Sequence, residues 1–473
     1  GAVTAGGTVT YGDGKFDLAG VTTTAKAGVI SGDTDFVAGT VKAESITVTT
    51  TNDVTLTDIG EKNASEGIVL SAAAAKGDIT VTTGATATTG TITIITGEGA
   101  DTLNLDEDTK HTAQTGDGID TINITDVALA SVINGEGGAD IFTVDDDDTA
   151  YTVAGGAGDD VFDLNVVAPS TLAVTVDGGD GTADTIKVTG AYGTSLDLKN
   201  IEAVTMLADT TLTAASLAND STWELQGATF DLRVITEAGK NETIDLSGAT
   251  ASTLDIPVNV ELVGNTGDDT LTGMLNRANT LIDGVAGTNS LTGGNGIDTI
   301  YGGGGVDTIN GLGGVDTINA DDGADIINGG AGDDIINGAN GIDTIDGGAG
   351  TDTVDFNAVM NLAASQLGSI SNTEVWDIEG GSEFVISDAV LTNNPGLVFN
   401  YLGSGTLSGG EDTAGAALKM PKDRYSKRNR RHSSASLRLS RNKQESLVLG
   451  RGEYIHPGLE FQTYGSSDRD EVQ

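Results

Sequence analysis

Residues 293–355 divide without a gap into seven nine-residue units, and no other feature constrains the fold as strongly. The units read GGNGIDTIY, GGGGVDTIN, GLGGVDTIN, ADDGADIIN, GGAGDDIIN, GANGIDTID and GGAGTDTVD. Their shared pattern is G-G-x-G-x-D-x-U-x, with U a large aliphatic residue. The sixth position is Asp in every unit: Asp298, Asp307, Asp316, Asp325, Asp334, Asp343 and Asp352. The eighth is Ile300, Ile309, Ile318, Ile327, Ile336, Ile345 and Val354. A unit this short cannot bury its own aliphatic side chain, so it must stack on copies of itself.

The first six residues suit a tight turn, because glycine reaches φ > 0 freely and leaves backbone carbonyls available. The last three suit a short strand with position 8 pointing inward. Two units then complete one coil, and aspartates 18 residues apart stack at strand spacing, about 4.8 Å. Asp298, Asp316, Asp334 and Asp352 are expected on one edge, with Asp307, Asp325 and Asp343 on the other.

Stacked carboxylates repel, and the whole chain carries 70 acidic residues against 23 basic ones, a net charge of −47. Compaction therefore calls for cations, and nucleic acid is an unsuitable partner. Carboxylates together with turn carbonyls match calcium, which takes six to eight oxygens in flexible geometry. The chain has no Cys and 3 His, so thiolate sites are excluded and soft-metal ligands are scarce. On these residues the array resembles the RTX calcium-binding nonapeptide repeat. That resemblance implies an all-β, elongated parallel β-solenoid, or β-roll, with several calcium ions held between successive turns. It also implies secretion, of a type I kind, to the extracellular space or bacterial cell surface.

Weaker copies lie upstream. GNTGDDTLT at 264–272 offers Asp269, GVAGTNSLT at 284–292 has Asn289 in the key place, and 273–283 is degenerate around Asn279. Asparagine keeps an oxygen but loses the charge, so calcium there is expected to bind less well. A longer repeat starts at residues 96, 115, 135, 155 and 178, with key acids Asp101, Asp120, Asp140, Asp160 and Asp184. Each motif precedes a β-branched stretch. That spacing predicts one calcium loop per turn, with a metal-free glycine turn as the alternative.

These textures divide the chain into a Thr-rich strand region (1–95), a solenoid with turns of about 20 residues (96–198) and a connector (199–262). The nonapeptide roll (263–355), a cap region (356–418) and a basic tail (419–473) follow. The phrases KNIEAVTM at 199 and SNTEVWDIEG at 371 resemble connectors of RTX surface-layer proteins, although a plain strand entry also accounts for them. Residues 419–473 carry 12 basic and 7 acidic residues and no solenoid texture. A disordered segment or sequence foreign to the protein is expected there, with a basic arm for anionic polymers as the alternative. A chain opening at Gly1 without a basic or apolar leader is expected to lack its original N-terminus.

Catalytic signatures are missing from the sequence. There is no H-E-x-x-H helix, His111, His432 and His456 cannot supply one, and no G-x-S-x-G elbow occurs. No apolar run approaches the ~20 residues of a membrane span. The expectation is a non-enzymatic, calcium-dependent structural protein of the bacterial surface, a surface-layer subunit. Its expected partner is its own kind, in a lattice, with cell-surface polysaccharide as the other candidate. An RTX adhesin or stalk of a secreted surface protein is the alternative reading, and a secreted RTX enzyme is a further, less favoured one.

Overall fold

The structure is a computed structural model. It describes residues 3–449, apart from 5–7, 12–15, 19–22, 25–26, 32–35, 62–66, 85–89, 107–109, 126–129, 146–149, 166–173, 190–195, 218–223, 227–230, 252–258, 279–280, 338–339, 357–360, 363–368, 379–382, 387, 402–405, 410–416, 420–434 and 442. Asn279, His432 and His456 lie outside the described residues, as does most of the tail. Strand makes up 57% and helix 2% of the structure, so the all-β solenoid expectation holds. The chain forms two compact units, residues 1–234 with 248–258, and residues 235–247 with 259–473.

In the first unit two parallel sheets alternate along the chain, one of 14 strands and one of 10. Successive turns stack in register. Leu103 lies beside Ile122, Ile122 beside Phe142, Phe142 beside Phe162 and Phe162 beside Ile186. All five are buried. The strands alternate buried and half-buried positions, as in Thr121–Ile124 and Val161–Leu164, because side chains point to opposite faces at period two. The outer face is mixed, with Thr121 and Asn123 on one strand and Val161 and Asp163 on another. The Phe142 and Phe162 rings stack with centroids 4.8 Å apart, which is the spacing of the strands that carry them.

In the second unit the two position-8 columns separate into two sheets. Ile282, Ile300, Ile318, Ile336, Val354 and Trp376 form one. Leu271, Leu291, Ile309, Ile327, Ile345 and Ile370 form the other. Every one of these side chains is buried, and each contributes roughly 1.5–3 kcal/mol. The 18-residue coil inferred from the repeat is therefore the coil that forms. Its core is thin, one aliphatic side chain deep from each sheet, which is why so few aromatic residues suffice.

The turns require glycine at position 4. Gly332 has φ of 145°, and a Cβ there would sit 1.3 Å from the Gly314 carbonyl oxygen one coil earlier. Position 2 is left-handed in most described turns, and side chains take that conformation at Val285 (φ 66°), Leu312 (71°), Asp321 (65°) and, in the first unit, Glu136 (68°). Within the tail, strand Ala435–Arg441 pairs in parallel with Thr406–Gly409 and antiparallel with Lys443–Leu449.

Candidate metal centre

The key aspartates form hydrogen-bonded ladders. In the first unit the Ile79 N–H donates to Asp101 Oδ1 (2.7 Å), and the Asp101 N–H to Asp120 Oδ1 (2.7 Å). The ladder continues from Asp120 to Asp140 (2.8 Å), Asp140 to Asp160 (2.7 Å) and Asp160 to Asp184 (2.7 Å). The second unit has two ladders. On one edge Asp298 donates to Asp316, Asp316 to Asp334 and Asp334 to Asp352, at 2.8, 2.8 and 2.9 Å. On the other, Asp269 donates to Asn289, Asn289 to Asp307, Asp307 to Asp325 and Asp325 to Asp343, at 2.9, 2.7, 2.8 and 2.9 Å. Each carboxylate thus uses one oxygen to satisfy a turn N–H that the strands leave unpaired.

The second oxygen is where the chemistry lies. Oδ2 of Asp101, Asp120, Asp140, Asp160, Asp184, Asp307, Asp316, Asp325, Asp334 and Asp352 is buried without a hydrogen-bond donor. A buried acceptor with no partner is costly, and these acceptors face further oxygens. A Cβ built on Gly329 would lie 2.7 Å from Asp334 Oδ2 and 2.5 Å from the Gly347 carbonyl oxygen. At Gly155 the same test finds Asp160 Oδ2 at 2.0 Å and the Gly178 oxygen at 2.7 Å. The position-1 glycine therefore leaves a notch in which a carboxylate oxygen and a carbonyl of the next turn converge. Oxygens converging without a proton between them fit a hard cation. Among the described residues no three His, Cys, Asp or Glu side chains converge on one point, because half the donors are backbone carbonyls.

Burial pushes these acids upward. The carboxyls of Asp140 and Asp316 rise to about 7, and those of Asp101, Asp184, Asp325 and Asp352 to about 6. Loss of water is the main cause, and the neighbouring acids of the ladders add to it. Asp120, Asp160, Asp307, Asp334 and Asp343 are raised for the same first reason. Without cations, such ladders hold protons near neutral pH.

The rungs are not equivalent. At Asp101 and Asp120 position 1 is Thr96 or Thr115, whose hydroxyl donates to the Thr115 carbonyl (2.7 Å) or the Gly135 carbonyl (2.9 Å). At Asp325 it is the buried Ala320. Asp269 is supplied by the protein itself, since the Asn265 N–H (2.8 Å) and the Thr236 hydroxyl (3.2 Å) donate to its Oδ2. Asp298 Oδ2 accepts from the Gly294 N–H at 2.5 Å. At Asn289 the amide nitrogen faces the Gly284 and Gly302 carbonyls, each at 3.4 Å, and so takes the place between them that a cation would take. The open notches with glycine at position 1 belong to Asp140, Asp160, Asp184, Asp307, Asp316, Asp334 and Asp352. Asp343 is half-buried, and its position-1 residue, Gly338, is outside the described residues.

Sequence reasoning missed Glu202 and Glu374. The Asp184 N–H donates to Glu202 Oε2 (2.7 Å) and the Asp352 N–H to Glu374 Oε2 (2.8 Å). Each glutamate closes a ladder, and each lies in the N-x-E phrase that the two connectors share.

Comparison with known proteins agrees with this geometry. The RTX calcium-binding nonapeptide repeat model matches four times, at residues 261–275, 283–318, 310–345 and 332–358. No curated protein matches the chain. The matched residues are those whose carboxylates and glycine notches form the two ladders of the second unit, and calcium is the ion such repeats bind. Residues 261–358 thus carry RTX-type calcium-binding repeats and the parallel roll they build.

Proposed function

We propose that the chain is a calcium-dependent structural protein of the bacterial cell surface, a surface-layer subunit that folds and self-assembles in extracellular calcium. The RTX repeats themselves point to a secreted calcium-binding protein. The observation that carries the finer reading is that both units are built from stacked parallel turns with buried aspartate ladders. The molecule is then a calcium-set scaffold over most of its described length. The ladder carboxylates face neighbouring turns, so in this reading they hold structure and carry no catalysis.

Linkage gives the mechanism. In low calcium the ladder charges and the chain entropy of a glycine-rich array oppose folding. Calcium that binds only the folded form contributes its binding energy to folding, about 2.7 kcal/mol per site at a hundredfold excess over Kd. The chain then exports unfolded and sets outside the cell. Negative-stain electron microscopy of the purified chain in millimolar calcium tests the proposal. Ordered two-dimensional sheets that dissolve in EGTA are expected. Single rods that never associate overturn the lattice reading and favour an adhesin stalk.

A further inference from the structure

Two short segments far apart in the chain, Asn200–Ala203 and Asn372–Val375, build the same device. Both asparagines have φ of 51°. The Asn200 amide donates to Asp177 Oδ1 (2.7 Å) and the Asn372 amide to Asp346 Oδ1 (2.6 Å). The N–H groups of Glu202 and Ala203 both donate to the Asp184 carbonyl, and those of Glu374 and Val375 both to the Asp352 carbonyl, all at 3.0 Å. Each glutamate accepts the N–H of the last ladder aspartate through Oε2.

The reason for glutamate is geometric. A full turn places four residues between its position-1 glycine and the key aspartate, whereas N-x-E places one between asparagine and glutamate. Glutamate has one methylene more than aspartate, and with it the carboxylate reaches the N–H it accepts.

The notch persists at these closing turns. A Cβ on Gly347 would lie 2.2 Å from the Asn372 carbonyl oxygen and 2.9 Å from Asp352 Oδ2. On Gly178 it would lie 2.0 Å from the Asn200 carbonyl oxygen and 2.6 Å from Asp184 Oδ2. Asp184 and Asp352 are fully buried, and neither Oδ2 has a donor.

We propose that Asn200 with Glu202, and Asn372 with Glu374, complete the last calcium sites of the Asp101–Asp184 and Asp298–Asp352 ladders. The asparagine carbonyl stands in for the position-1 glycine carbonyl, and the glutamate carboxylate stands in for the missing next aspartate. Glu374 and Asn372 lie beyond the matched repeats, which end at residue 358, and Glu202 and Asn200 lie far before them. The two sites bind a divalent cation of the calcium type, and each is the point where calcium-dependent turns pass into metal-free ones. The inference rests on the calcium reading of the ladders and is independent of any lattice.

The test counts ions on the full chain. Calcium bound per chain is measured by equilibrium dialysis and atomic emission for wild type, Glu202→Gln, Glu374→Gln and the double variant. Glutamine keeps the oxygen that accepts the aspartate N–H and removes the charge. One ion fewer is expected in each single variant and two fewer in the double, with circular dichroism unchanged at saturating calcium. An unchanged count at unchanged affinity overturns the proposal, whereas an absence of bound calcium in wild type overturns the ladder reading itself.

Should glutamine prevent folding, wild type still answers. Trp376 donates Nε1–H to the Thr373 hydroxyl at 2.8 Å, within the closing turn, so terbium at this site is excited through tryptophan. Sensitised terbium emission that Trp376→Phe removes is expected. No emission, or emission that this variant leaves unchanged, overturns the site at Glu374.

Discussion

Asn289 shows what happens when an amide replaces a ladder carboxylate, and Asp316→Asn transfers that change to an open notch. The substituted side chain keeps the oxygen that accepts the Asp298 N–H at 2.8 Å. Its new amide nitrogen takes the place of the donorless Oδ2 and faces the Gly311 and Gly329 carbonyls, as Asn289 faces Gly284 and Gly302 at 3.4 Å. Without calcium above pH 8 the change removes a buried charge. Burial holds the Asp316 carboxyl at about 7 against an ordinary 3.8, and at about 1.4 kcal/mol per pH unit the ionised group costs up to about 4 kcal/mol. The metal-free array is therefore stabilised by about 2–4 kcal/mol. With calcium at a hundredfold excess over Kd the variant forfeits one site, about 2.7 kcal/mol, and much of the gain is cancelled or reversed. Asp316→Ala differs, because it also leaves the buried Asp298 N–H unpaired, a cost of about 1–3 kcal/mol in any condition. Urea unfolding followed by circular dichroism, in EGTA and in millimolar calcium, separates the cases. Asp316→Asn is expected to need less calcium to fold and to bind one ion fewer. An equal loss of stability in both conditions, or an unchanged ion count, refutes the argument that the amide stands in for the cation.

Other perturbations follow from the same geometry. The raised ladder acids favour protonation of the metal-free fold, so their stabilising contribution is full below the unfolded value near 4 and is lost as pH rises through about 6 to 7. In EGTA, β-structure by circular dichroism should therefore increase as pH falls through that window, while calcium affinity falls; a metal-free signal flat across it refutes the burial argument. Ile318→Ala, fully buried between Ile300 and Ile336, should cost about 2–5 kcal/mol in calcium-saturated urea unfolding; a loss under 1 kcal/mol contradicts a close-packed column. Val285→Gly should stabilise the fold by about 1 kcal/mol, because it relieves a β-branched residue at φ of 66°, and a lowered urea midpoint counts against strain there. Gly332→Ala should prevent closure of its turn, since the added Cβ would meet the Gly314 carbonyl at 1.3 Å; an unchanged calcium midpoint opposes the stacking described.

The local pattern carried much of this structure. A nine-residue period with one aliphatic position can be satisfied only by stacking, and in-register stacking of 18-residue coils puts Asp298 over Asp316 and Ile300 over Ile318 without any further information. The same logic reaches the first unit, where motifs 19 to 24 residues apart still align Asp101 through Asp184, because the extra residues fall between strands and leave the register intact. What the pattern could not supply is which aspartate oxygens remain without a donor. That depends on the neighbouring turns: Thr96 and Thr115 fill their own notches, Asn265 and Thr236 reach Asp269 across 4 and 33 residues of chain, and Asn289 turns its amide to carbonyls of two coils. The glycine or threonine at position 1 was visible as a letter, but its meaning arises only when the next coil brings a carbonyl to the same notch. The closing role of Glu202 and Glu374 is likewise tertiary, since a glutamate in a strand entry acquires a partner only from the coil stacked before it. Periodicity determines which residues are neighbours, and the packed turns decide which of those neighbours still lack a proton or a cation.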